Sequence, residues 1–368
     1  MMKYSIFGES HGPAIGVLLN DIPAGVTLDM EEIAFEMGRR APGKSAISTA
    51  RKEADVPEVL SGLYGGFTTG APLCAIIKNT DARSGDYSLL KRFPRPGHAD
   101  YTAAARYDGF ADMRGSGQFS GRLTAPLVFA GAVAKQLLAA RGIFVGAHIA
   151  AIGGIRDIPL TEGGFLKDKT AETVLRAAAR KELPVIDDGA GEKMREAIAA
   201  AKREGDSLGG LIECAALGLE AGIGEPGADS LESLISRACF AVPGVKGIEF
   251  GAGFAFAEMR GSAANDPMEM ADGRVSMRTN NNGGVSGGIS TGAPLLFRAA
   301  LRPTSSIARE QDTVDMEERV NAKLVVPGRH DPCIVHRAVP VIEAAAALAL
   351  LEAVQKLYGI RGLCGRRQ

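Results

Sequence analysis

Residues 125–140 read Ala-Pro-Leu-Val-Phe-Ala-Gly-Ala-Val-Ala-Lys-Gln-Leu-Leu-Ala-Ala, and Gly142 stands just beyond them. Alanine and leucine favour helix, and the glycine supplies a stop. A helix apolar all round, broken only by Lys135 and Gln136, is a buried one. Around it, Asp29-Met30-Glu31-Glu32 is a capping box ahead of Ile33 and Met37, for a helix ending near Arg40, before Pro42. Segments 170–181 and 192–203 are amphipathic, and Asp229-Ser230-Leu231-Glu232 opens a helix reaching Cys239. Pro340 suits the first position of the last long helix and Gly359 its C-terminal cap. Strand-like runs fall at 15–19, 73–78, 143–152, 211–217, 248–258 and 295–301. Helices and strands do not alternate regularly, which predicts an α+β fold rather than a doubly wound sheet. No low-complexity linker interrupts residues 1–368, so a single domain is expected. Thr69-Gly70-Ala71-Pro72-Leu73 recurs as Thr291-Gly292-Ala293-Pro294-Leu295. Either a duplication has left an internal pseudo-repeat or the turn compositions coincide.

Composition narrows the function. The 47 glycines among 368 residues follow no collagen period, so they belong to turns and to places where backbone approaches a ligand. With 42 basic and 43 acidic residues, aromatics at 5% and no tryptophan, the chain suits neither a phosphate-backbone binder nor a base-stacking platform. A hydrophobic fraction of 46% excludes disorder. The five cysteines, at 74, 214, 239, 333 and 364, are odd in number and form no CxxC pair, which argues against a disulfide framework or a cysteine zinc site. No apolar signal region opens the chain. The most apolar stretch, 339–354, carries Glu343 and Glu352 and is shorter than the ~20 residues of a membrane span. A soluble cytoplasmic protein without nucleic-acid or membrane partners is expected.

Three constellations could carry chemistry. His11 and His98 lie in Phe7-Gly8-Glu9-Ser10-His11-Gly12 and Arg95-Pro96-Gly97-His98-Ala99-Asp100, where small neighbours keep an imidazole accessible for proton transfer. His330 lies in a similar setting, whereas His148 sits in a plain apolar run and reads as structural. No HExxH motif supports a metal, so none is expected. Basic residues at Arg39, Arg40, Lys44, Arg51 and Lys52, and arginines 92, 95, 114, 122, 302 and 329 beside glycines or prolines, suit a small polyanion, or else a solvated surface. Residues 280–292 hold five glycines and three asparagines, an anion nest or a site of close strand packing. Arg302-Pro303-Thr304-Ser305-Ser306 offers one cation and three hydroxyls to a phosphate.

Together these segments resemble the chorismate synthase family of the shikimate pathway. The matching pieces are FGESHG at 7–12, NTDARSGDY at 79–87, RPGHADYT at 95–102, KREGDSLGG at 202–210, GIGEP at 222–226, VKGIEFG at 245–251, NNGGVSGGISTG at 281–292, LRPTSSI at 301–307 and GRHDPCIVHRAVPVIEA at 328–344. The resemblance implies a β-α-β sandwich, a homotetramer, and a 1,4-anti elimination of phosphate from 5-enolpyruvylshikimate 3-phosphate that gives chorismate. It implies a need for reduced FMN without net redox change. By the same resemblance His11 protonates the departing phosphate, His98 protonates reduced flavin, and Asp331 with Ser10 handles the flavin N5 proton. The flavin cradle would comprise Ser120, Pro243, Gly244, Gly287, Arg302 (in place of the family's usual lysine), Pro303, Thr304, Ser305, Ser306 and Arg329. Substrate anions would meet Arg39, Arg40, Arg51, Arg114 and Arg122.

The chain departs from the family at 118–124, which reads Gln-Phe-Ser-Gly-Arg-Leu-Thr where RSSARET is common, with one residue inserted near Ala111. Pro243-Gly244 replaces a frequent Asn-Ala, and Ala46 a basic residue that Lys44 is close enough to replace. Some relatives reduce their own flavin with NADPH. With no added domain visible, an external reductant is expected. The competing readings are a flavin oxidoreductase with net hydride transfer, for which no nicotinamide fingerprint is present, and a non-catalytic anion or flavin binder.

Overall fold

The computed structural model describes residues 3–43, 55–80, 89–271, 273–326, 328 and 330–363. Its α-helices are α1 (Met30–Arg40), α2 (Asp100–Arg106), α3 (Thr124–Ala139), α4 (Ala171–Ala179), α5 (Asp188–Arg203), α6 (Leu231–Phe240), α7 (Gly261–Ala264) and α8 (Val335–Gly362). The apolar segment that opened the sequence reading is α3, in which every residue but Lys135, Gln136 and Ala139 is buried.

Two antiparallel sheets enclose α1, α3, α6 and α8, while α4 packs on the outer face of the second. The first runs in the order Tyr4–Gly8, Ala14–Leu19, Leu73–Lys78, Glu58–Ser61. Ile15, Val17 and Leu19 of one strand and Leu73, Ala75 and Ile77 of the next are buried, the period of two expected of a strand with one face on a core. That face rests on α3. The second sheet runs in the order Val245–Phe250, Leu295–Leu301, Gly210–Leu217, Phe144–Ile152, Ile155–Arg156, and α8 packs on its central strands. The layers are sheet, helices, sheet, a β-α-β sandwich of the α+β class. At the crossing of α3 and α8 a Cβ on Gly131 would lie 2.1 Å from the Ala344 Cβ, so a missing side chain sets the distance between the two helices. The apolar window of α8 is long enough to cross a bilayer, yet 94% of it is buried inside the protein, as befits a core helix.

Several expectations shift on inspection. Asp29 does cap α1, its carboxylate accepting from the Glu31 and Glu32 amides. Helix α5 starts earlier than 192, capped by Asp187. Helix α6 is capped by Ser230, not Asp229, which pairs with Lys356 instead. Helix α8 begins at Val335, so Pro340 lies inside it rather than at its first position, while Gly359 (φ +68°) makes the expected left-handed turn. The run 248–258 is strand only to Phe250. Gly251 and Gly253, at φ +55° and +58°, turn the chain into a 3-10 helix, Gly253–Glu258. The Thr-Gly-Ala-Pro-Leu copies form the same turn: Ala71 and Ala293 each donate 3.3 Å to the threonine two residues back, with Gly70 at φ +83° and Gly292 at +89°. They feed matching strands: the order Tyr4–Gly8, Ala14–Leu19, Leu73–Lys78, Glu58–Ser61 has its counterpart in Phe144–Ile152, Gly210–Leu217, Leu295–Leu301, Val245–Phe250, antiparallel throughout, with Ile155–Arg156 added at the edge of the second sheet.

His148 is fully buried, with Nδ1 3.0 Å from Asp157 and Nε2 3.0 Å from Glu213. Burial alone would lower its pKa, but the two carboxylates reverse that and raise it. The ring, bonded to both carboxylates, therefore ties the strand Phe144–Ile152 to its neighbours. Replacing it by alanine strands two buried acids and should cost about 3–5 kcal/mol of stability. A raised folded pKa means the contribution is complete below the unfolded value of about 6.5 and is lost as pH rises through the folded value. The Tm gap between the parent and His148→Gln should therefore shrink as pH rises above about 6.5. A gap independent of pH would show that the ring is neutral in the fold.

Candidate functional site

A cleft of about 630 Å³ opens where the end of α1, the loop before α2, the turns leading into α3 and the start of α8 converge. Arg40, Arg95, Arg122, Lys246, Arg302 and Arg337 line it, while Asp331 is the sole carboxylate among the described lining residues. Its floor is a pair of guanidiniums held by one acid. Arg40, from α1, and Arg122, from the 3-10 turn Gly121–Leu123, both donate to the buried Asp55. Arg40 also donates to Thr124 Oγ1 at 3.1 Å and to the Gly121 carbonyl, and Arg122 to Asn79 Oδ1 at 3.0 Å. Burial pushes the Arg40 pKa down to about 10, and nearby Arg337 and Arg122 add to the effect against Asp55. Crowded guanidiniums sharing too little negative charge are stabilised by a bound anion.

A second group surrounds His98. Arg95 grips Asp100 with Nε and Nη2, both at 2.7 Å, and reaches Ser306 and Ser116 hydroxyls at 3.1 and 3.0 Å. Burial alone would raise the Asp100 pKa, but hydrogen bonds from Arg95 and His98 hold it well below the usual carboxylate range. His98 Nδ1 lies 2.7 Å from Asp100 Oδ1 and 3.1 Å from Arg95 Nη2. Arginine only donates and a carboxylate only accepts, so the shorter contact assigns the proton to Nδ1 and leaves Nε2 to exchange one.

His11 and the buried Ser10 lie directly behind the cleft wall at Gly115. A Cβ there would come within 2.3 Å of His11 Cδ2, 2.4 Å of Nε2 and 2.9 Å of Ser10 Oγ. Gly115, Ser116 and Gly117 all have positive φ, at 60°, 74° and 51°. Ser116 is the strained member, and its hydrogen bond from Arg95 holds it there. On the opposite side Arg302 donates to the Gly97 carbonyl beside His98, and Thr304 Oγ1 is buried with no protein partner. Asp331 accepts from Arg337 at 3.0 Å, and Arg337 also donates to the Arg40 carbonyl.

The cleft thus collects His98, Asp331, Ser120, Pro243, Gly244, Arg302, Pro303, Thr304, Ser305, Ser306, Arg40 and Arg122, with His11 and Ser10 behind Gly115. Three expected residues stand elsewhere. Arg39 turns away from the cleft into an internal ion network with Glu343 and Glu36, because consecutive helical residues point about 100° apart. Arg114 is exposed and held by Asp112, and Gly287 sits in the hairpin Val285–Ser290, outside the cleft lining. Arg51 and Arg329 fall outside the described residues. His330 lines the cleft but donates to the Val326 carbonyl at 2.8 Å, and among the described residues no three metal-binding side chains converge. The sequence reading missed Arg337, Lys246, Asp55, Asp100 and Ser116. Asp100 carried a signal, two residues from His98, whereas Asp55 gave none.

The chorismate synthase family model matches residues 2–355. Chorismate synthase of Korarchaeum cryptofilum is 45% identical over 351 residues, 95% of this chain and 94% of that protein. Those of Methanosarcina acetivorans and Dehalococcoides mccartyi are 45% identical over 350 residues (95% of this chain, 93% of theirs) and 42% identical over 352 (96% and 94%). A solved structure, "Crystal Structure of Chorismate Synthase", superposes with a TM-score of 0.78 at 27% identity, covering 98% of this chain and 96% of its own.

Gly115→Ala should both strain a backbone at φ +60° and drive a methyl into His11. The left-handed conformation alone costs about 1–2 kcal/mol. Gly121→Ala meets nothing within 4 Å and has no such φ. Thermal melts of the two variants should therefore separate clearly. Equal melting temperatures would mean that the His11 wall gives way without cost.

Proposed function

The chain belongs to the chorismate synthase family of carbon–oxygen lyases, and from that premise we propose that it eliminates phosphate from 5-enolpyruvylshikimate 3-phosphate to give chorismate, with reduced FMN bound and not consumed. The observation that carries this reading is the cleft's charge, six cations and a single carboxylate among the described lining residues, with His98 on one wall and His11 behind another. The substrate bears a phosphate and two carboxylates, a match for that excess. Arg40 and Arg122, oriented by Asp55, bind and align the anions. His11 delivers a proton to the departing phosphate oxygen. His98, fixed by Asp100 through Nδ1, holds its mobile proton on Nε2. Asp331, steadied by Arg337, together with Ser10 accepts the proton that leaves.

The residues present fit FMN. The unpartnered, buried Thr304 Oγ1 and the Arg302 guanidinium line the cleft together and suit a phosphate. Ser120, Pro243, Gly244, Arg302, Pro303, Thr304, Ser305 and Ser306 would hold the flavin there. Reduced FMN supplies reversible electron donation, which side chains alone lack. Exposed Phe254, Met268, Met270 and Val275 support a homotetramer that covers them. A cytoplasmic setting and an external flavin reductant complete the proposal.

Mixing the protein with photoreduced FMN and the enolpyruvyl substrate without oxygen should release phosphate far in excess of reductant consumed. A one-to-one ratio would make the protein an oxidoreductase. His11→Ala and His98→Ala should each slow phosphate release by about 10²–10⁴ while leaving assembly intact. Near-normal rates in both would remove the histidines from the mechanism. Gln118 lines the cleft where relatives commonly carry a cation. Gln118→Arg should tighten FMN, since a charge-assisted hydrogen bond contributes roughly 1.5–3 kcal/mol. Flavin titration at two salt concentrations is the check, and unchanged affinity would mean that another cation already fills that role.

A further inference from the structure

Behind the wall formed by Arg337 lies a second cavity of about 310 Å³, between the end of α1, the end of α4 and the start of α8. Its sides are apolar at Ala34, Phe35 and Pro184. Two polar groups facing it are uncommitted. His336 is 6% exposed, and neither of its ring nitrogens has a protein partner. Burial, reinforced by the neighbouring Arg337, lowers its pKa to about 4, so the ring is neutral and presents one donor and one acceptor. Arg180, exposed at the mouth, stacks over the Phe35 ring at 5.8 Å and makes no ion pair among the described residues. The other charged lining groups are engaged: Arg39 by Glu36 and Glu343, Lys181 by Asp188 and two carbonyls, Arg337 by Asp331, and the lining carboxylate Glu182 by Arg195 at 3.8 Å.

A buried imidazole with both nitrogens unmet is costly, and groups left so in a native protein call for a partner. Two waters, one at each ring nitrogen and ~30 Å³ apiece, would still leave most of the cavity unfilled beside a phenyl face. The size is at the lower end of ligand pockets, about 300–1,000 Å³, and one uncommitted guanidinium matches one negative charge. We propose that this cavity binds a monocyclic carboxylate bearing a hydroxyl. Its carboxylate pairs with Arg180, its ring lies against Phe35, and its hydroxyl hydrogen-bonds one ring nitrogen of His336. Because Arg337 walls this cavity and the catalytic cleft alike, an occupant touches the guanidinium that holds Asp331 and the Arg40 carbonyl. Occupancy therefore reaches the catalytic cleft, a consequence that rests on the lyase reading above.

The probe is radiolabelled 4-hydroxybenzoate, measured by equilibrium dialysis against the full chain. Saturable binding is expected, weakened about tenfold or more in Arg180→Met and in His336→Phe, each of which removes a direct polar partner. Benzoate, which lacks the hydroxyl, should bind the parent about tenfold more weakly than 4-hydroxybenzoate does, yet equally with it to His336→Phe. Arg180 is exposed, so Arg180→Met keeps the test valid should His336→Phe fold poorly. No saturable binding to the parent, or binding indifferent to Arg180→Met, would overturn the site. In phosphate-release assays 4-hydroxybenzoate should lower kcat without raising KM in the parent and have little effect in Arg180→Met. A rise in KM alone would place the ligand in the catalytic cleft and overturn the proposal. Absence of any phosphate release from the untreated parent would instead fail the lyase reading and leave the dialysis result standing.

Discussion

One carboxylate, Glu343, sets the geometry from which the site follows. It is 1% exposed, stands on α8, and takes hydrogen bonds from three other elements. Arg39 of α1 binds it with both terminal nitrogens, at 2.6 and 2.8 Å, Lys135 of α3 donates at 2.8 Å, and the Ala147 amide of the second sheet at 3.0 Å. Burial alone would raise its pKa, but Arg39 and Lys135 hold it well below the usual range. Buried ion pairs add little net stability but penalise any arrangement that breaks them. Here the penalty fixes the rotation of α1, α3 and α8 together. With Arg39 turned inward to Glu343, the next residue, Arg40, is aimed at the cleft.

The same device recurs at the chemistry. Asp55 orients Arg40 and Arg122, Asp100 orients Arg95 and His98, and Asp331 pairs with Arg337. Asp55 and Asp100 stand behind the bases they hold, so the cleft presents fixed cations with little exposed negative charge. Such preorganised charge needs no rearrangement when an anion arrives or departs. The basicity of Arg40 is depressed chiefly by its burial, and the nearby Arg337 and Arg122 add to that.

Glycine governs the other half of the site. The side chain that Gly115 lacks is what lets His11 and Ser10 approach the wall, and the Arg302 guanidinium sits where a Gly97 Cβ would be, within 2.8 Å. In the segment 118–124, Ser120, Gly121 and Arg122 line the cleft, and the Ser120 hydroxyl caps the turn that presents Arg122. A solved family structure at 27% identity retains the fold, with a TM-score of 0.78. Backbone path and buried ion pairs can persist through such divergence because neither depends on most surface side chains.

The sequence by itself determined the α+β class, the buried helix at α3, the cap of α1 and the runs 73–78 and 295–301, since these rest on periodicity and capping over a few adjacent residues. It also marked His11, His98, Arg40 and 302–306, each embedded in a short stretch with its own composition. It misplaced the starts of α5 and α8 and read 248–258 as one strand, because glycine conformation and tertiary packing decide where an element begins or turns. It grouped Arg39 with Arg40 because adjacency along a chain carries no information about which face a helix buries. Asp55, Ser116 and Arg337 could not be assigned from the chain alone. Their roles are defined by partners distant in sequence, such as Asp55 with Arg122 and Ser116 with Arg95, and only folding brings those charges close enough to orient one another.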